Sequence, residues 1–141
     1  MVGMIAELTI EYAEAKRAVD GMIAELERRG KAAVVVVADS HGELILLARM
    51  AGAPCSSLTI ASNKAWTAVR AGKPSKEVGE RVRDPQQGCD IAYYGDPRFV
   101  GWGGGIPLRK DGKVVGSVAV SGLSEMEDIE VATVGAAAIT G

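Results

Sequence analysis

Residues 103 to 128, GGGIPLRKDGKVVGSVAVSGLSEMED, restrict the fold more than any other stretch of the chain. They read as a strand, a tight turn, a second strand, a Ser-Gly corner and the start of a helix. Lys110-Asp111-Gly112 lies between two apolar runs, which is a hairpin signal. Pro107 cannot donate to a ladder, so its strand belongs at an edge or begins near that residue. From Lys113 to Val120, period-two alternation predicts Val114, Gly116, Val118 and Val120 on one face. Val115, Ser117, Ala119 and Ser121 fall on the other. Ser124 followed by Glu127 fits a capping box that opens a helix. A glycine corner feeding a helix start leaves N–H groups that can hold a carboxylate, phosphate or carbonyl oxygen. Alternatively, Ser124 and Glu127 satisfy those donors themselves.

The preceding sequence supplies partners for this hairpin. Thr9 is expected to cap a helix ending at Arg29 with Gly30 as its stop. Tyr12, Ala15, Val19, Met22 and Leu26 give it one apolar stripe, and its charges a solvated face. Ala32 to Ala38, AAVVVVA, reads as a strand buried on both faces. Asp39-Ser40-His41-Gly42 is a four-residue turn, and Glu43 to Arg49 returns as a second strand. Two covered faces on antiparallel strands imply three layers, or a sheet that meets a partner.

Ser56 or Ser57 opens a helix through Ala71, with Leu58, Ala61, Ala65 and Ala68 inward and Gly72 as its end. Ser75 is expected to cap a short helix through Arg83. Residues 84 to 97 form a long excursion without a period. Phe99 to Trp102 is expected as a short strand. A last helix, Glu125 to Ile139, turns Met126, Ile129, Ala132, Ala136 and Ile139 inward, and Gly135 permits close approach of a neighbour.

A length of 141 residues suits a single domain, 1–141, with a sizeable core. Aromatics are only 4%, so Val, Ala, Leu and Ile must fill that core. A net charge of -2 gives no electrostatic footprint for nucleic acid. No apolar run reaches membrane-spanning length. Met1 to Ile10 lacks a basic segment followed by a long apolar one, so the cytoplasm is the expected location. Cys55 and Cys89 form neither a CxxC pair nor a metal-ligand spacing.

Several residues could carry chemistry. Arg49 leaves an apolar strand face and could grip a carboxylate bidentately, or lay its stem on apolar groups. Lys64 flanks the buried stripe of its helix as an anion partner, a base, or an ordinary solvated lysine. Gly103, Gly104 and Gly105 allow close backbone approach but match neither a dinucleotide fingerprint nor a P-loop. Glu125 and Asp128 fit the acidic first turn of a helix. His41 is the only histidine, which argues against a protein-made transition-metal site. Tyr93, Tyr94 and Trp102 could wall a flat ligand or anchor an interface.

VVVVADSHGELILLARMAGAP, SNKAWTAV, GGGIPLRKDGKVVGSVAVSG and EMED, in that order, resemble the haem-degrading, GlcG-like (HbpS-like) family. The resemblance implies an α+β, profilin-like fold: three layers, α/β/α, around a five-stranded antiparallel sheet. It implies a homo-oligomer (dimer, tetramer or octamer) and a small-molecule ligand such as haem or another tetrapyrrole. It also implies a pocket at Arg49, Met50, Lys64, Gly104, Gly105, Ser121 and Gly122. The family pattern has Asp where Ala51 stands and Gly where Ala119 stands. Haem iron takes His, Cys, Met or Tyr as axial ligand, which singles out His41, Tyr12 and the methionines. Three functions stay open: a ligand-binding protein, a small enzyme acting on a carboxylated or hydroxylated metabolite, and a structural subunit of a partner enzyme.

Overall fold

A computed structural model describes residues 3–140. Met1, Val2 and Gly141, the ends of the expected 1–141 domain and the start of the segment scanned for a leader, lie outside the described residues. In chain order the elements are α1 (Tyr12–Arg29), β1 (Val34–Ala38), β2 (Leu44–Arg49), α2 (Ser57–Ala71), α3 (Ser75–Arg83), β3 (Gly105–Lys110), β4 (Lys113–Ser121) and α4 (Glu125–Thr140). A single 3-10 turn covers Ile91–Tyr94. The strands form one antiparallel sheet in the order β2-β1-β4-β3.

The valine run of β1 is buried at every position, as a strand covered on both faces must be. One face carries Val35, Val37, Val118 and Val120 and packs on Ala15, Met22 and Leu26 of α1 and Val131 and Ala132 of α4. The other carries Val34, Val36 and Ala119 and packs on Ala61 and Ala65 of α2. These are the three expected layers. Small residues bring the helices close. At Gly135 a β-carbon would lie 2.6 Å from the Met22 sulfur, so the Met22 side chain of α1 packs directly on the backbone of α4 there.

Both hairpin turns follow their sequence signals. Asp39 accepts from the N–H groups of His41 and Glu43, and Gly42 takes φ of 87°. Asp111 and Gly112 both have positive φ, at 52° and 78°, the geometry that matches strand twist in a two-residue hairpin. Gly30 and Gly72 end α1 and α2 in the left-handed conformation, as expected.

Several expectations need correction. The described residues hold four strands, not five. Phe99 to Trp102 forms no strand because its backbone is tied to side chains instead of a ladder. Thr67 Oγ1 donates to Arg98 O and accepts from Val100 N, both at 3.1 Å. Ser75 Oγ likewise donates to Trp102 O at 2.7 Å and accepts from Gly105 N at 2.9 Å. Ser75 is thus a clamp on that segment, and Pro74 takes the cap position of α3.

Val115 changes face. Leu108 pairs with Gly116 and Arg109 with Val114, so Val115 is an unpaired extra residue that joins the α1–α4 core. Thr9 does not cap α1; Glu11 holds that position, and the Thr9 hydroxyl accepts from Ser40 N. Tyr12 is 59% exposed and lies off the buried stripe, where Ala18 takes its place. Met126 is exposed too, because α4 is rotated to bury Asp128, Val131, Ala132 and Gly135.

Candidate ligand-binding site

The end of β4 and the start of α4 meet the middle of α2 around a buried ion pair. Lys64 occupies the same stripe of α2 as Ala61, Ala65 and Ala68, at helical spacings of three and four. Its side chain is therefore driven into the sheet and is only 2% exposed. An ammonium there requires full pairing. Lys64 Nζ donates to Asp128 Oδ2 at 3.0 Å and to Val120 O at 2.9 Å. Asp128 Oδ1 accepts from Leu123 N at 3.1 Å, so the carboxylate fixes the corner as well as the lysine. Burial pushes the Asp128 carboxyl above its ordinary range, opposed by the Lys64 ammonium and the Leu123 N–H.

Glycines create the room this pair needs. Gly104 has φ of 128°, and a β-carbon there would sit 2.6 Å from Val120 O and 2.9 Å from Lys64 Nζ. Gly105 lies against the Lys64 backbone carbonyl, where a β-carbon would collide. Gly103 donates its N–H to Glu125 Oε2 at 2.8 Å, and Glu125 Oε1 meets Lys76 Nζ at 3.1 Å. The Gly103 N–H, followed by the Lys76 ammonium, holds the Glu125 carboxyl below the usual range. At the corner, Ser124 Oγ accepts from Glu127 N, which forms the expected cap. The N–H groups of Glu125 and Met126 have no acceptor within the helix.

Together these residues border a cleft of about 270 Å³. Lys64 and Asp128 form part of its lining, with Ser57 and Ser121 beside them and Trp102, Gly103, Leu123 and Glu125 completing the wall. Ser121 Oγ donates to Ser57 Oγ over 3.3 Å, a long bond that leaves both hydroxyls with capacity to spare. Lys64 has three N–H donors and spends two on protein.

Of the residues the sequence singled out, Lys64, Ser121 and Gly122 line this cleft, and Gly104 and Gly105 shape the space behind it. Arg49 and Met50 do not border it. Arg49 is exposed, with Nη1 3.3 Å from Cys55 Sγ. It pairs with Val34, which pairs in turn with Ser121, so a whole strand separates the guanidinium from the corner. Met50 packs against the α1–α4 core. His41, Tyr12 and Tyr93 are exposed and lie outside the cleft.

In the sequence Ser57 reads only as a helix start and Asp128 as a helix-end acid. The spacing of Asp128, Val131, Ala132 and Gly135 matches that of Ala61, Lys64, Ala65 and Ala68. Each set has one charged residue on an otherwise small, apolar stripe, and that shared pattern was the available signal.

Four matches to known proteins bear on this arrangement. A 15.0 kDa protein from the dhaT-dhaS intergenic region of Citrobacter freundii is 32% identical over 120 residues, covering 85% of this chain and 84% of that one. Protein GlcG of Escherichia coli K12 is 30% identical over 97 residues, 69% of each chain. The crystal structure of the PduOC–haem complex superposes with a TM-score of 0.87 at 26% identity, covering 94% of this chain and 96% of that one. A family model described as haem degrading protein HbpS-like matches residues 10–137. That match spans both layers of helices, the whole sheet and every residue of the cleft, and on it the chain belongs to the HbpS-like, haem-degrading protein family.

Proposed function

We propose that this protein binds a small oxygen-bearing ligand in the cleft between α2, the β4 corner and α4. The observation that carries the reading is the buried Lys64 ammonium, which has one donor unspent beside two under-used serine hydroxyls. Burying a charge is costly, and a core does not need one to be stable. A lysine held in this way offers a pre-oriented N–H to a hydroxyl or carboxylate oxygen. Ser57 and Ser121 can donate to or accept from the same group, and Gly122 leaves the corner open. The proposed binding residues are Lys64, Ser57, Ser121 and Gly122, with Gly104 and Gly105 shaping the site.

Haem is the second reading, favoured by the haem-bound relative. The larger groove formed by Leu8, Ile10, Val115 and Ile139 has an apolar floor, and Arg17, Arg109 and Lys110 on its rim suit carboxylates. Among the described residues, neither this groove nor the Lys64 cleft is lined by His, Cys, Met or Tyr. The donor set therefore does not fit axial ligation of iron within one chain, and the oxygen-bearing ligand is the better match. A homo-oligomer in the cytoplasm completes the proposal. Supporting it are the exposed apolar side chains Met4, Ile5, Leu8 and Leu44 and the free thiols of Cys55 and Cys89.

The test is a thermal-shift panel of small hydroxylated and carboxylated compounds, with haem titrated in parallel. A ligand at 100 times its Kd adds about 2.7 kcal/mol of stability. At about 0.3 kcal/mol/K for a chain of 141 residues, that raises Tm by about 9 °C. The shift should fall in Ser57→Ala and Ser121→Ala and survive Arg49→Ala. A shift lost only in Arg49→Ala would move the site to the outer strand. A Soret band with no response to any other compound would replace this reading with haem binding.

A further inference from the structure

We infer that a pocket beside Trp66, on the far side of α2 from the Lys64 pair, is a second ligand site. It takes a small molecule with a short apolar stem and one sp² oxygen that accepts a hydrogen bond. Trp66 is 3% exposed, and its indole N–H has no acceptor among the described residues. A buried donor left unpaired is costly, so its presence calls for a partner. Trp66 also forms one wall of a pocket of about 190 Å³. That is roughly the share of six waters in the liquid.

The rest of the pocket has matching chemistry. Val36, Ala38 and Leu44 line it with apolar surface, and Asn63 and Arg98 add polar groups. The Asn63 amide makes no hydrogen bond to another described residue and can serve the same oxygen as the indole. The indole is held in place on several sides. Arg98 lies 4.2 Å and Arg70 5.0 Å from the ring centroid, and Phe99 meets it edge to face at 4.8 Å. Arg98 is anchored by Asp96, but its second carboxylate, Glu43, is 3.7 Å away and largely exposed. Glu43 can therefore give way to a ligand carboxylate. The tight Gly42 turn, where a β-carbon would be 3.1 Å from the Trp66 ring, closes the sheet end of the pocket.

The chain has two tryptophans, which makes the test direct. Trp102 borders the Lys64 cleft and Trp66 borders this pocket. In ¹⁵N-labelled protein the two indole N–H resonances are assigned with Trp102→Phe. Butyrate and butyramide are then titrated at millimolar concentration, where fragments of this size bind. The expected result is a saturable downfield movement of the Trp66 resonance, with a midpoint distinct from that of any movement of the Trp102 resonance. Movement with butyrate alone identifies the ligand as a carboxylate, and movement with butyramide identifies a neutral carbonyl. Asn63→Leu should weaken binding at least fivefold. The proposal is overturned if neither probe moves the Trp66 resonance. It is also overturned if Asn63→Leu leaves the titration unchanged. Either outcome leaves the Lys64 cleft untouched, because Trp102 reports on it separately.

Discussion

Replacing Lys64 by Met tests the buried pair at the centre of the site. Met fills similar volume but supplies no donor, so Val120 O loses a partner and the Asp128 carboxylate stays buried with only the Leu123 N–H. Breaking a buried pair from one side costs about 3–5 kcal/mol. Unfolding entropy for 141 residues is about 0.3 kcal/mol/K, so Tm should fall by about 10–17 °C. The double variant Lys64→Met/Asp128→Asn removes the stranded charge and keeps an oxygen for Leu123 N. It should be more stable than Lys64→Met alone, with a coupling energy of about 1.5 kcal/mol or more across the cycle. Urea titrations of the four proteins at pH 7, checked by calorimetry, measure both quantities. Additive single-variant costs, or a loss below about 1 kcal/mol in Lys64→Met, would refute the claim that the pair is buried and mutually dependent.

Other outcomes follow from the same geometry. The Asp128 carboxyl carbon should titrate above the ordinary value of 3.8 in NMR. The native state then holds the extra proton, so this group adds stability as pH falls through its native midpoint toward its unfolded one. Asp96 has the opposite sign: Arg98 holds it down to about 2, so its contribution is lost as pH falls through the range below about 4. A titration midpoint for Asp128 at or below the ordinary value would contradict the burial argument. Gly104→Ala should cost about 1–3 kcal/mol in chemical denaturation, from positive φ and the collision with Val120 O. Thr67→Val removes the hydroxyl's bonds to Arg98 O and Val100 N. Hydrogen exchange there should accelerate about tenfold with global stability falling by only about 1–2 kcal/mol; unchanged exchange at Val100 would show that the hydroxyl does not hold the segment.

The parts of the fold that could be read from sequence are those set by local chemistry. The valine run, the Asp-Gly turn and the Gly30 and Gly72 helix stops each act within a few residues, and each is found where expected. The parts that could not be read depend on partners far along the chain. The bulge at Val115 arises from the register between β3 and β4, which alternation within β4 cannot reveal. The expected strand at Phe99 to Trp102 fails because hydroxyls some thirty residues away take its backbone groups. Lys64 and Asp128 are 64 residues apart, and each alone looks like a surface charge. Arg49 stood out because it ends an apolar strand, but β2 is the sheet edge and its end faces Cys55.

The two hydroxyl clamps have a consequence for how this scaffold can diversify. Thr67 and Ser75 pin residues 98 to 105 to the helical layer from behind. The excursion from Asp84 to Asp96 is mostly exposed, and the bonds near its start run back to α3 and its end, from Cys89 N to Val82 O and from Arg81 to Gln87 O. Those bonds stay within residues 81 to 89, so residues added or trimmed near Gln86 and Gln87 should leave the glycine wall in register. New recognition elements could be spliced in at that point without redesigning the Lys64 cleft.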